Sequence, residues 1–188
     1  MHTKPLNVLF LCTHNSARSI LAEALLNHIG KGRFKAYSAG SSPRENQQPN
    51  PIGIEVLKEA GIATEGLHSK SWDDFARPMG SAAHEVASVG AATPLVMNLV
   101  ITVCDNAAGE VCPYWPGQPA TAHWGYADPS ASHGDDPSAS DGDDAHMREA
   151  FRDTLHALRS RLELFVSFIP AHVDRSALQT IARDLAKL

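Results

Sequence analysis

Cysteine is scarce in this chain: three in 188 residues, with no Cys-x-x-Cys pair. Ten histidines are scattered without His-x-x-x-His spacing, so neither a zinc site nor any other resident metal is expected. No apolar run approaches the ~20 residues that a membrane-crossing helix needs. The start, Met1-His2-Thr3-Lys4-Pro5, has no signal-peptide layout. The expected location is therefore the cytoplasm, where thiols stay reduced, and three cysteines there read as chemistry rather than as a disulfide framework. Positive charge is not in excess either. A net charge of −5 gives non-specific nucleic-acid binding no electrostatic footing.

What is present is concentrated in one run, Cys12-Thr13-His14-Asn15-Ser16-Ala17-Arg18-Ser19. It follows the apolar stretch Asn7-Val8-Leu9-Phe10-Leu11 and precedes a helical pattern. A turn of this kind points successive backbone N–H groups inward, and the helix N-terminus adds positive potential, which makes an oxyanion cradle. The same field is expected to lower the pKa of Cys12, the candidate nucleophile. Arg18 can grip two oxygens of a tetrahedral anion with its planar fork. Ser19 can donate to the thiolate, and Asn15 can pin the loop. The whole loop, Thr13 through Ser19, is the expected substrate-binding set, with the His14 ring expected to turn to solvent.

Along the chain, strands and helices alternate. Strands are expected at Val8 to Leu11, Phe34 to Ser38, Leu99 to Val103 and Thr121 to Trp124. Amphipathic helices are expected after the cradle to about Gly30, from Asn50-Pro51 to Gly61, from about Asp143 onward, and after a cap at Asp174. The expected fold is α/β, a single domain (1–188) with a four-stranded parallel sheet flanked by helices. Its ligand site belongs at the carboxyl edge of the strands, where the cradle falls. Residues 78–94, rich in Ala, Gly and Ser, read as an insertion. Residues 130–144, rich in Asp, Ser, Gly and Pro, read as an acidic loop. Residues 170–188 read as a helical extension lying outside the core or against a partner.

The cradle resembles the signature of the low-molecular-weight protein tyrosine phosphatase superfamily. Two further runs, Val103-Cys104-Asp105-Asn106-Ala107-Ala108-Gly109-Glu110-Val111-Cys112-Pro113 and His123-Trp124-Gly125-Tyr126-Ala127-Asp128-Pro129, are similar to those of arsenate reductases built on that fold. The resemblance spans roughly residues 6–169. It implies that Cys12 attacks arsenate, that Arg18 holds it, and that Asp128 protonates the departing oxygen. Cys104 then attacks the adduct, and Cys112 takes over the disulfide, which thioredoxin or a glutaredoxin/glutathione system reduces. No bound cofactor is implied, and phosphate or sulfate should act as substrate analogues.

The chain departs from those relatives in three ways. Cys104 and Cys112 stand eight positions apart, slightly more than usual, which a flexible loop absorbs. Ala17 stands where members often carry another cysteine. Some relatives bind potassium through an Asn, a Glu and an Asp. Asn15, Glu23 and Ser38 match parts of that site, no matching Asp stands near Ser69-Lys70-Ser71, and Lys70 is a candidate to replace the cation. The competing enzyme reading is a tyrosine phosphatase using Cys12, Arg18 and Asp128, but Ser130-Ala131-Ser132 follows the Asp-Pro where aromatic residues usually stand. A non-catalytic oxoanion sensor would need no Cys104 or Cys112. A redox sensor reporting through Cys12 is the remaining alternative.

Overall fold

The computed structural model describes residues 4–76, 95–104, 115–131 and 141–188, with side chains described from Asp144 in the last segment. The insertion read at 78–94, Cys112, and most of the loop read at 130–144 lie outside the described residues. The ordered elements begin with β1 (Leu6–Cys12), α1 (Arg18–Ile29), β2 (Phe34–Gly40) and α2 (Pro51–Glu59). They continue with β3 (Leu99–Thr102), β4 (Ala120–His123), α3 (Asp141–Phe168) and α4 (Arg175–Leu185). The four strands form one parallel sheet in the order β2-β1-β3-β4. Because all three pairings are parallel, the strand C-termini meet at one edge, with β1 between β2 and β3.

Each strand expected from the sequence is present, with small shifts at the ends. β1 runs on to Cys12, and β2 to Gly40, because the pairing of Cys12 with Gly40 continues the ladder past the apolar stretch. α3 begins at Asp141, inside the segment read as acidic loop. The first helix departs from the amphipathic expectation. Every residue from Ser19 to Leu26 is buried, since α1 packs against β1 and β2 on one side and α3 on the other. A helix covered all round keeps no polar face to solvent.

The main core lies between the sheet and α1–α4, around Phe10, Trp124, Phe151 and Phe165. A smaller cluster of Leu9, Leu11, Met97, Val100 and Trp115 covers the opposite sheet face. The last helix is not an outlying appendage. The Asp174 carboxylate accepts from Ala177 N at 2.8 Å, capping α4. Leu178, Ala182 and Leu185 are buried, and the Trp124 indole donates to Ala182 O at 2.8 Å.

Candidate active site

The cradle forms because β1 delivers Cys12 to the sheet edge and α1 starts six residues later at Arg18. Asn15 adopts φ +56°, the turn that folds the loop back on itself. Gly40 lets the loop lie flat against β2, for a Cβ there would stand 2.7 Å from Thr13 O and 3.1 Å from Asn15 N. No side chain caps α1 at Ala17. Its first amides therefore keep their hydrogen-bonding capacity for an anion.

A short network fixes Cys12, the candidate nucleophile. The Asn15 side-chain Nδ2 donates to Ser19 Oγ at 2.8 Å, which leaves the Ser19 proton for Cys12 Sγ at 2.9 Å. Asn15 N donates to the same sulfur at 3.2 Å. The expectation of a lowered Cys12 pKa is corrected here. Cys12 is 4% exposed, and this burial pushes the thiol above its ordinary value. The bonds from Ser19 and Asn15 pull it down without overcoming the desolvation, and nearby Cys104 adds a further upward push.

Above the sulfur opens a cavity of about 250 Å³ lined by Thr13, His14, Ser16, Ala17, Arg18 and Asp128 together with Cys12. His14 thus lines the cavity rather than simply facing solvent. Asn15 and Ser19 are fully buried behind it. Arg18 donates from Nη1 to Tyr126 O at 2.9 Å and from Nη2 to Asp128 Oδ2 at 3.0 Å. Its Nε is buried and meets no acceptor among the described residues, which suits a site built to receive an anionic oxygen. Asp128 is held in turn by Ser130, whose N and Oγ donate to Oδ1 at 3.0 and 2.7 Å.

The structure therefore gathers Cys12, Arg18 and Asp128 around one cavity although 110 positions separate Arg18 from Asp128. Cys104 follows the end of β3, beside β1, and is buried. Thr13 Oγ1 lies 3.5 Å from its sulfur. Sequence reasoning missed Arg44, Gln47 and Ser130, which also line the cavity. Arg44 and Gln47 sit in a loop with no motif of its own, so only the fold reveals them.

Behind the cradle, Lys70 supplies a positive charge beside Asn15, Glu23 and Ser38. Its Nζ lies 3.3 Å from Glu23 Oε2, and Ser38 Oγ donates to the same oxygen. Lys70 N donates to Asn15 Oδ1 at 2.7 Å, linking this ion pair to the cradle. Among the described residues no cluster of three or more His, Cys, Asp or Glu could hold a metal ion. Among the described residues no helix is long and apolar enough to cross a membrane.

A parallel four-stranded sheet with a Cys-to-Arg cradle at its carboxyl edge defines a class. The chain matches the low molecular weight phosphotyrosine protein phosphatase family over residues 7–177, and it belongs to that family. An arsenate reductase of Bacillus licheniformis is 34% identical over 128 residues, covering 68% of this chain and 76% of that protein. One from Halalkalibacterium halodurans is 31% identical over 127 residues, with the same coverage of 68% and 76%. A solved arsenate reductase in its phosphate-binding state shares the fold at a TM-score of 0.60 and 23% identity, covering 88% of this chain and 99% of that one.

Proposed function

We propose that this chain is an arsenate reductase that passes electrons from thiols to arsenic. The observation that carries the reading is the second buried sulfur, Cys104, beside the cradle that holds Cys12, Arg18 and Asp128. A phosphatase needs the cradle and the acid but has no use for a further thiol there. Among the described residues no Phe, Tyr or Trp lines the cavity, so none of them offers a phosphotyrosine ring a stacking wall. The curated relatives named above support the same choice.

The arrangement supports the following sequence. Arsenate enters the cradle and takes hydrogen bonds from the loop amides and Arg18. The oxyanion competes for the Nη2 proton that now reaches Asp128. As the anion draws Arg18 away, Asp128 takes up a proton from solvent. The Cys12 thiolate attacks arsenic, and an oxygen departs as water with that proton. Cys104 thiolate then attacks Cys12 Sγ. The sulfur–arsenic bond breaks with its electron pair left on arsenic, so arsenic(V) becomes arsenic(III) and leaves as arsenite. Two electrons have come from sulfur, as a Cys12–Cys104 disulfide. Cys112 attacks Cys104, releases Cys12 and leaves a Cys104–Cys112 disulfide for a dithiol carrier such as thioredoxin, or a glutaredoxin with glutathione. Such a cycle requires a reducing compartment, which makes the cytoplasm the location that fits it.

The test is steady NADPH consumption with arsenate, thioredoxin and thioredoxin reductase. Cys104→Ser and Cys112→Ser are both expected to abolish it. Cleavage of para-nitrophenyl phosphate by both variants, with no arsenate-dependent NADPH oxidation even in the unmodified chain, would establish the phosphatase instead.

A further inference from the structure

We propose that Arg44 determines specificity, as a second fixed cation at the cradle mouth that selects doubly charged tetrahedral oxoanions over singly charged ones. The inference rests on the oxoanion reading above and names its substrate class more narrowly. The loop carrying Arg44 is tied to the cradle at both ends. Ser41 N donates to Cys12 O at 3.0 Å and Ser42 N to Thr13 O at 2.8 Å, while Asn50 N donates to Ser16 O at 2.8 Å. Between these anchors Gln47 N donates to Arg44 O at 3.0 Å, and Asn46 takes φ +56° to close the turn. Arg44 is thereby held on the wall of the cavity that contains Cys12, Arg18 and Asp128.

The charges show why a second cation matters. Arg18 faces the Asp128 carboxylate at 3.0 Å, so an ionised pair there is neutral overall. A Cys12 thiolate makes the set negative, and a doubly charged oxoanion would be repelled. Lys70 is committed to Glu23. Arg44 is exposed, and its guanidinium makes no hydrogen bond or ion pair among the described residues. It is the one other permanent cation among the described lining residues. Its planar fork can reach two oxygens of an entering anion.

The experiment measures how sulfate and perchlorate protect Cys12 from iodoacetamide, at one pH and a fixed, low ionic strength. The two ions share a tetrahedral shape and differ by one charge, and Cys12 ionisation is the same for both. Arg44→Gln is expected to weaken sulfate protection about three- to tenfold and perchlorate protection far less. Arg44→Lys should recover most of the sulfate effect. Lys58→Gln, an exposed charge near the end of α2, should match the unmodified chain. Unchanged sulfate protection in Arg44→Gln overturns the proposal. So does an equal loss for both ions, or an equal loss in Lys58→Gln. If sulfate fails to protect the unmodified chain at all, the oxoanion reading falls and takes this inference with it, an outcome distinct from the others.

Discussion

At the scale of single residues, the account turns on how a buried sulfur becomes reactive. Burial holds the Cys12 proton on, and the Ser19 side chain is the largest of the hydrogen-bond influences acting the other way. Ser19→Ala should therefore move the pH profile of Cys12 alkylation further to the alkaline side, which a series of iodoacetamide rates reads directly. A shift toward neutral pH would contradict the assignment of Ser19 as donor. The same upward shift has a stability consequence. A group whose folded pKa lies above its unfolded value contributes stability fully present below the unfolded pKa, about 8.5 for cysteine. That contribution fades as pH rises through the folded value. Urea unfolding should accordingly show a loss of stability on the alkaline side that Cys12→Ala reduces. The gathering of Cys12, Arg18 and Ser19 in one turn was legible in the sequence because it follows from offsets within a single loop. The direction of the Cys12 shift was not, since desolvation depends on what the fold packs over the sulfur.

At the scale of elements, α4 does more than extend the chain. It covers Trp124 and closes the core beside β4. Leu178 is 2% exposed, and Leu178→Ala should cost about 2–5 kcal/mol, measurable as a lowered urea midpoint. A cost under about 0.5 kcal/mol would mean that the helix is only loosely attached. α2 and α3 meet closely at Gly53, where a Cβ would stand 2.8 Å from the Phe151 ring. Strand positions were readable from short Val/Ile/Leu runs, and the α4 cap from Asp174, because these signals are local. The unbroken burial of Ser19 to Leu26 in α1 was not readable, because its covering by α3 joins segments more than a hundred residues apart. Nor was the placing of Arg44 and Gln47, which depends on backbone bonds from their loop to Cys12, Thr13 and Ser16.

At the scale of the whole molecule, the parallel order β2-β1-β3-β4 sets the chemistry. It places the C-terminal end of β3 beside that of β1, and so brings Cys104 against Thr13 of a cradle that begins 92 positions earlier at Cys12. Asp128 arrives from the segment after β4 and meets Arg18 at the start of α1. One sheet edge thus collects the Cys12–Arg18 loop, the Asp128 carboxylate and a second sulfur. The central claim is that electrons leave through the bond between positions 12 and 104. The most direct measurement uses Cys112→Ser, which halts the relay before the disulfide moves on. The reduced variant is treated with arsenate, quenched in acid, digested without reductant and analysed by mass spectrometry. The account predicts a peptide pair bridged between Cys12 and Cys104, with one arsenite released per chain. Arsenite released without that bridge, or arsenate bound with neither product, would contradict it.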